Sequence, residues 1–192
     1  MTKALIVYGT RYEAAASTSE EIAKILRHEG LDTRVVNAKE EKIRNIDEYA
    51  LVIVGSGILI NKWTSEPENF LKKFQRELTT KKVALFVCCG SACQAMNEGK
   101  PEAATTGRSK YLDEKAAQYN LQPVALGFFG GVYDFNKWPW WAGAAKGAAK
   151  TQLDAAGFKA TDEVYDVRDW DTIRKWAKEL ARTVCCANNV AI

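Results

Sequence analysis

This chain of 192 residues has few histidines, few prolines and a small net charge. There is one histidine, His28, there are four prolines, and the net charge at neutral pH is only +3. So small an excess of positive charge does not indicate a nucleic-acid-binding protein. No apolar stretch approaches the length that spans a bilayer. Met1-Thr2-Lys3 leads directly into an apolar run, so we expect no secretory signal and a cytoplasmic location.

The cysteines are few and do not form the pattern of a metal site. Their number is odd and they fall in two tight clusters: Cys88, Cys89 and Cys93, then Cys185 and Cys186. A second ligand pair at zinc-site spacing is missing, and His28 lies within a predicted helix. We therefore expect reduced thiols and no bound metal.

Apolar residues make up 47% of the chain and charged residues 27%, which is the composition of a globular domain. Short buried runs alternate with amphipathic segments. The runs predict strands at 3–8, 33–37, 50–55, 83–88 and 122–127. Helices are expected from 17 onward and at 39–47, 66–78, 110–119 and from 169–171 to near the end. This alternation predicts an α/β fold with a parallel sheet.

The first thirty residues carry the clearest functional pattern. The strand Ala4–Tyr8 is followed by a loop at 9–16 and by Ser17 and Thr18, each three residues before a glutamate, as in a capping box. A loop between a buried strand and a helix start directs backbone N–H groups at one point, where a phosphate can bind. An ordinary strand-loop-helix unit without a ligand explains the same residues. Glu13 and three alanines after it are unusual for a phosphate loop, since they add a negative charge and no hydroxyl.

Three further loops leave the carboxyl ends of predicted strands, where parallel sheets bind ligands. They are the segment 55–65, the segment from Cys89 onward, and the glycine-rich segment 127–131.

The region 132–150 is unusually aromatic and contains Trp138, Trp140 and Trp141 beside Pro139. It is compatible with a flap that covers the core. It is equally compatible with a surface for a planar ligand, a partner or a membrane, because tryptophan favours places that are apolar on one side and wet on the other. We expect a peripheral membrane contact through these three tryptophans, with nearby lysines favouring anionic groups.

Several of these segments resemble those of known proteins. Ile6-Val7-Tyr8-Gly9-Thr10-Arg11 and Val52-Ile53-Val54-Gly55-Ser56-Gly57-Ile58 are similar to the first two flavin loops of flavodoxin-like proteins. Gly130-Gly131-Val132-Tyr133, the tryptophan-rich segment and Asp169-Trp170-Asp171 are similar to the branch that includes menaquinone-dependent protoporphyrinogen dehydrogenase. The resemblance covers nearly the whole chain.

The resemblance implies a single three-layer domain over 1–192, with a five-stranded parallel sheet in the order 2-1-3-4-5 and a tryptophan-rich insertion around 132–150. It implies FMN at the carboxyl ends of the strands. The phosphate would lie at Thr10, Arg11, Tyr12, Glu13, Ala14 and Ala15. The ring would lie near Ser56, Gly57, Ile58, Trp63, Cys89 and Gly90. Where Glu13 and Ala15 stand, the family pattern has glycine and threonine, which predicts weakened FMN binding.

The resemblance therefore implies an FMN-dependent oxidoreductase with a quinone-like acceptor or a protein redox partner, and a homodimer is compatible with it. One alternative is a flavodoxin-type electron carrier, although such carriers are usually acidic. Another is a binding module that has lost FMN through its altered loop. No side chain is marked as a catalytic acid or base.

Overall fold

The computed structural model describes residues 1–90 and 101–185, with a central sheet of mainly parallel strands. In chain order the strands are β1 (Lys3–Gly9), β2 (Asp32–Asn37), β3 (Leu51–Leu59), β4 (Lys62–Trp63), β5 (Lys82–Cys88) and β6 (Ala125–Phe129). The parallel order is β2-β1-β3-β5-β6, and β4 pairs with the end of β3 in the antiparallel sense. The predicted parallel sheet and its order 2-1-3-4-5 are confirmed.

The sheet is buried on both faces because successive apolar side chains of each strand point in opposite directions. Leu5 and Val7 of β1 join the core on one face, and Ala4 and Ile6 join the core on the other. Helices cover both layers. The α-helices of the described residues are α1 (Ala14–His28), α2 (Ser65–Lys73), α3 (Gln75–Leu78), α4 (Pro101–Arg108), α5 (Glu114–Gln118), α6 (Gly143–Ala155) and α7 (Trp170–Cys185), and α6 packs outside the sheet.

The two helical layers have different members. α1 and α7 supply residues such as Ile22 and Ile173 to one core, while α2, α3 and α5 supply residues such as Phe70 and Ala116 to the other. A π-helical turn at Ser109–Asp113 joins α4 to α5, and it lies with α5 in the region predicted to be helical at 110–119. The three-layer α/β sandwich is thus the architecture of this chain. Within the described residues, no helix combines the length and apolar content needed to cross a membrane.

A second, smaller core lies outside the main sheet. The antiparallel strands β7 (Val132–Asp134) and β8 (Val164–Asp166) pair with each other, and α6 lies between them in the sequence. Phe135, Leu153, Tyr165 and Val167 form this core, and Tyr133 and Trp138 pack against it. Of the three tryptophans in the aromatic segment, Trp138 therefore packs on this second core.

The helix predicted at 39–47 is absent, and that prediction is wrong. The segment is irregular after a turn, and its two isoleucines, Ile43 and Ile46, are buried in the main core. Lys73 donates to the carbonyl of Ile43 at 2.6 Å, and Lys81 donates to the carbonyl of Asp47 at 3.1 Å. These lysines satisfy carbonyls that a helix would have paired internally, so the irregular backbone is stable.

Other predicted boundaries differ from those observed. The last parallel strand, predicted at 122–127, begins three residues later and ends two residues later, so Gly127 and Phe128 lie inside β6. α1 begins at Ala14 and not at the predicted cap of Ser17 and Thr18, because a run of alanines is the best helix-forming sequence. Asp169 caps α7 as expected, accepting hydrogen bonds from the N–H groups of Asp171 and Thr172.

Candidate functional site

A narrow cleft lies where β1, β3, β5 and β6 end at the same edge of the sheet. Its walls come from the loop before α1, the end of β3, the end of β5 and the segment after β6. The residues that line it are Thr10, Arg11, Tyr12, Ala14, Gly57, Ile58, Cys88, Gly90, Gly131 and Val132. The cavity volume is about 50 Å³. Segments far apart in the sequence therefore meet where parallel sheets bind ligands.

The loop before α1 turns sharply at Glu13. This residue has a φ of 64°, in the left-handed region, and is exposed. Its side chain makes no capping hydrogen bond, but its carbonyl accepts hydrogen bonds from the N–H and the hydroxyl of Ser17, both at 3.0 Å. The carboxylate thus points to solvent, while the backbone turns into a helix whose first N–H groups lack acceptors inside the helix.

The opposite wall is made by a glycine in β3. A Cβ atom placed on Gly57 would meet nothing closer than the carbonyl oxygen of Gly9, at 3.9 Å, and the Cα of Thr10, at 4.0 Å. The missing side chain leaves space directly beside the start of the loop. Gly57 therefore widens the cleft at the point where the loop turns.

The far end of the cleft is closed by a contact from the smaller core. A Cβ atom on Gly90 would lie 2.5 Å from Cζ of Tyr133, and one on Gly131 would lie 2.8 Å from the nitrogen of Gly90. These two glycines permit the segment after β6 to pack directly on the end of β5. Larger side chains at either position would force the two walls apart.

The sequence-predicted site residues divide into two groups. Seven of them line the cleft: Thr10, Arg11, Tyr12, Ala14, Gly57, Ile58 and Gly90. The other five lie outside it: Glu13, Ala15, Ser56, Trp63 and Cys89.

Most of that second group is buried in packing roles. Ala15 is buried in the core beneath α1. The Ser56 hydroxyl accepts a hydrogen bond from the N–H of Thr64 at 2.9 Å, and Cys89 is buried in the core on the opposite face from α1. Trp63 is buried too, and its Nε1 donates to the carbonyl of Tyr111 at 2.8 Å. Trp63 therefore braces the β3–β4 hairpin against the helix that follows β5.

Cys88 lines the cleft but is not among the predicted site residues. Burial raises the pKa of its thiol to about 11, and the thiol donates to the hydroxyl of Thr18 at 3.4 Å. A thiol held neutral in this way is a poor nucleophile at physiological pH. Its position as the last residue of a buried strand was the available signal. In the described part of the chain, no group of three or more histidine, cysteine or acidic residues is arranged to hold a metal.

A comparison with protein-family models matches residues 5–143 to the flavodoxin domain. The chain belongs to the flavodoxin-domain family. The match includes every wall of the cleft.

Solved structures with the same fold include several flavodoxins. A short-chain flavodoxin associated with a non-canonical PDU bacterial microcompartment is 12% identical, with a TM-score of 0.59 over 96% of this chain and 99% of that one. The Streptococcus pneumoniae TIGR4 flavodoxin is 14% identical, with a TM-score of 0.56 over 95% of this chain and 99% of that one.

The fold also matches part of a larger protein. Rubredoxin oxygen:oxidoreductase from Desulfovibrio gigas is 14% identical with a TM-score of 0.56, and the match covers all of this chain but only 38% of that one. At these identities the structures establish a shared fold and no shared activity.

Proposed function

We propose that this protein binds FMN in the cleft and passes electrons from a reduced donor to a quinone-like acceptor. The observation that carries the proposal is the convergence of the loop before α1, Gly57 and Gly90 on one cleft at the carboxyl edge of the sheet. The loop before α1 and the end of β3 resemble the flavin loops of flavodoxin-like proteins, and the family match over residues 5–143 includes both. When bound, the flavin would supply the redox chemistry, and the protein would supply position and electrostatics.

The residues at the start of α1 fit the phosphate end of FMN. A helix N-terminus favours an anion, and Thr10 contributes a hydroxyl donor and Arg11 a positive charge on the same wall. The Nζ atom of Lys137 lies 5.9 Å from the ring centroid of Tyr12, but it pairs with Asp134 at 3.1 Å, so Arg11 is the cation of this wall. Because Glu13 is exposed and outside the cleft lining, its charge opposes the phosphate less than the sequence pattern implied.

The ring end is narrower than a flavin. The cavity of about 50 Å³ is well below the roughly 300–1,000 Å³ typical of cofactor sites. Tyr133 and Gly131 close this end against Gly90. FMN binding therefore requires these walls to separate.

We extend the proposal to a flat apolar substrate or acceptor, as in the protoporphyrinogen dehydrogenase branch. The support is that the smaller core, with Tyr133 and Trp138, adjoins the ring end of the cleft. A flavodoxin-type carrier is the second candidate. The net charge of +3 argues against it, because docking onto basic redox partners favours an acidic surface.

The deciding experiment is a titration of the purified protein with FMN, followed by flavin absorbance and fluorescence quenching. We expect a yellow complex with one flavin per chain, which a menaquinone analogue reoxidises after reduction. A colourless protein that ignores added FMN would favour a binding module that has lost its flavin. A flavin reoxidised only by a protein partner would favour the carrier.

The variant Gly57→Val tests the location of the flavin. Its branched side chain would enter the open space beside Thr10, so we expect loss of FMN binding with little change in melting temperature. Gly143→Ala, where an added Cβ meets nothing within 4 Å, is the matched control and should bind FMN normally. Unchanged FMN affinity in Gly57→Val would place the flavin elsewhere.

A further inference from the structure

Arg168, in the connection between β8 and α7, joins three parts of the molecule. Its Nε and Nη2 atoms donate to both carboxylate oxygens of Asp166, at 2.8 and 2.7 Å. Its Nη1 atom donates to the carbonyl of Ala14 at 3.0 Å and to the hydroxyls of Ser17 at 2.6 Å and Thr18 at 3.2 Å. The side chain is only 6% exposed and lies 4.2 Å from the ring centroid of Trp170.

These contacts place a guanidinium against the first turn of α1, which is the wrong end of the helix for a cation. The helix dipole disfavours positive charge there, and the bidentate pair with Asp166 offsets that cost. The guanidinium of Arg168 is thus fixed in place, and it donates hydrogen bonds to one carbonyl and two hydroxyls of the first turn. Since Glu13 supplies no side-chain cap, Arg168 fixes the start of α1 from outside the helix.

The same contacts reach the cleft itself. Ala14 lines the cleft, and the hydroxyl of Thr18 accepts hydrogen bonds from both Arg168 and Cys88, a second lining residue. Arg168 is therefore linked directly to one cleft residue and through Thr18 to another. Displacing the Arg168 side chain would shift the backbone N–H groups at the start of α1, where the phosphate would bind.

We infer that Arg168, held by Asp166, is a positioning residue for the phosphate end of the cleft. This inference rests on the proposed FMN function, in which Arg168 orients the loop that binds the phosphate of FMN. It also gives the smaller core a role, because Asp166 belongs to β8 of that core.

The test compares Arg168→Gln, Arg168→Lys and Asp166→Asn with the wild type. Arg174→Gln is the matched control: Arg174 of α7 pairs with Glu21 of α1 and with Asp171 of its own helix, but it is not among the residues that line the cleft. FMN and riboflavin are titrated into each protein, because riboflavin has the same ring without the phosphate. Amide hydrogen exchange at Ser17 and Thr18, measured without flavin, reports the order of the first turn.

We expect Arg168→Gln to raise the FMN dissociation constant about tenfold, the size expected for losing hydrogen bonds to a charged group, with riboflavin affinity nearly unchanged. Arg168→Lys should recover part of the loss, Asp166→Asn should reproduce part of it, and Arg174→Gln should show none. Exchange at Ser17 and Thr18 should accelerate most in Arg168→Gln, less in Arg168→Lys and Asp166→Asn, and not at all in Arg174→Gln.

Unchanged exchange in Arg168→Gln would overturn the inference whatever the flavin result. Equal losses of FMN and riboflavin affinity would also overturn it, since they would indicate a general structural defect. If the wild type binds neither flavin while exchange accelerates, the FMN function fails and the positioning of α1 by Arg168 stands.

Discussion

Glu13 occupies a backbone position that suits glycine better than any other residue. A residue with a side chain at φ 64° is disfavoured by about 1–2 kcal/mol, because its Cβ crowds the following carbonyl oxygen. The family resemblance places a glycine at the same point, and the structure supplies the reason. The sequence drew attention to the charge of Glu13, whereas the structure shows that its main effect is on the backbone.

We therefore expect Glu13→Gly to raise the free energy of unfolding by about 0.5–1 kcal/mol, since glycine relieves the strain but has more freedom when unfolded. Glu13→Ala removes the charge and keeps the Cβ, so it is the matched control and should not be more stable than the wild type. Chemical denaturation of the three proteins measures the difference. Equal gains in both variants would show that charge, not backbone conformation, sets the cost.

The sequence predicted the position of residues best at the ends of buried strands, and their role in binding FMN stays a prediction. Thr10 and Arg11 follow β1 and Gly57 lies near the end of β3, and the topology of a parallel sheet brings such strand ends together in the cleft. Cys88 and Arg168 were missed because neither is part of a local pattern. Arg168 reaches α1 only through a fold that brings residues at least 150 positions apart into contact.

At the level of elements, buried apolar runs predicted the presence of strands reliably, but the predicted first and last residues of several elements were inaccurate. The strands β1, β2 and β5 were found nearly where predicted, because uninterrupted branched residues suit a sheet covered on both sides, whereas β3 continues four residues past its predicted end. The end of β6 was missed since Gly127 suggested a turn. In the structure this glycine lies in the strand, where a Cβ would be 2.5 Å from the ring of Phe129. The hairpin at β4 was missed because its turn residue Ile60, with φ 48°, is an unusual choice for a left-handed position.

The tryptophans of the aromatic segment have different environments. Trp138 packs on Phe135, with ring centroids 5.0 Å apart, whereas Trp140 is 93% exposed and Trp141 is 73% exposed. Two adjacent exposed tryptophans are typical of a contact surface. We keep a peripheral membrane contact as a proposal for Trp140 and Trp141, and assign Trp138 to the smaller core.

This division predicts opposite phenotypes within four residues. Trp138→Ser should lower the free energy of unfolding by about 1–3 kcal/mol, less than a fully buried ring because one side is open. The double variant Trp140→Ser and Trp141→Ser should melt like the wild type and lose binding to phosphatidylcholine vesicles in co-sedimentation. Thermal melts and vesicle binding are measured on the same preparations.

Lipid charge should matter little to this contact. Lys137 pairs with Asp134, and Lys146 and Lys150 share Glu163, so two carboxylates offset two of the three positive charges near the tryptophans. Binding that requires anionic lipid would contradict this expectation. A double variant that binds vesicles as well as the wild type would remove the membrane contact altogether.

The whole molecule consists of a sandwich and a smaller core joined by a short backbone contact. Val167 donates its N–H to the carbonyl of Gly131 at 3.0 Å, and a Cβ on Gly130 would lie 2.1 Å from the carbonyl oxygen of Val167. Arg168 crosses the same junction one residue later. The cleft is built at this junction, so its geometry depends on both units folding together.

We therefore expect the two units to unfold in one cooperative transition, and two glycines test this. Gly130→Ala forces a Cβ into the junction and should cost about 1–3 kcal/mol by overpacking. Gly147→Ala lies in the exposed interior of α6, where a Cβ meets nothing within 4 Å, and should add about 0.5–1 kcal/mol through helix propensity.

If the units are coupled, Gly147→Ala raises the midpoint temperature of the single calorimetric transition by about 1–4 °C, the shift expected for a chain of this size. The whole molecule then responds to a change that lies only in the smaller core. Gly130→Ala lowers the same transition without splitting it, because the smaller core has too few buried residues to persist alone. Two separate transitions in either variant, or a Gly147→Ala effect confined to one of them, would show that the smaller core folds independently. In that case the wall formed by Gly131 and Tyr133 would open without loss of the sandwich.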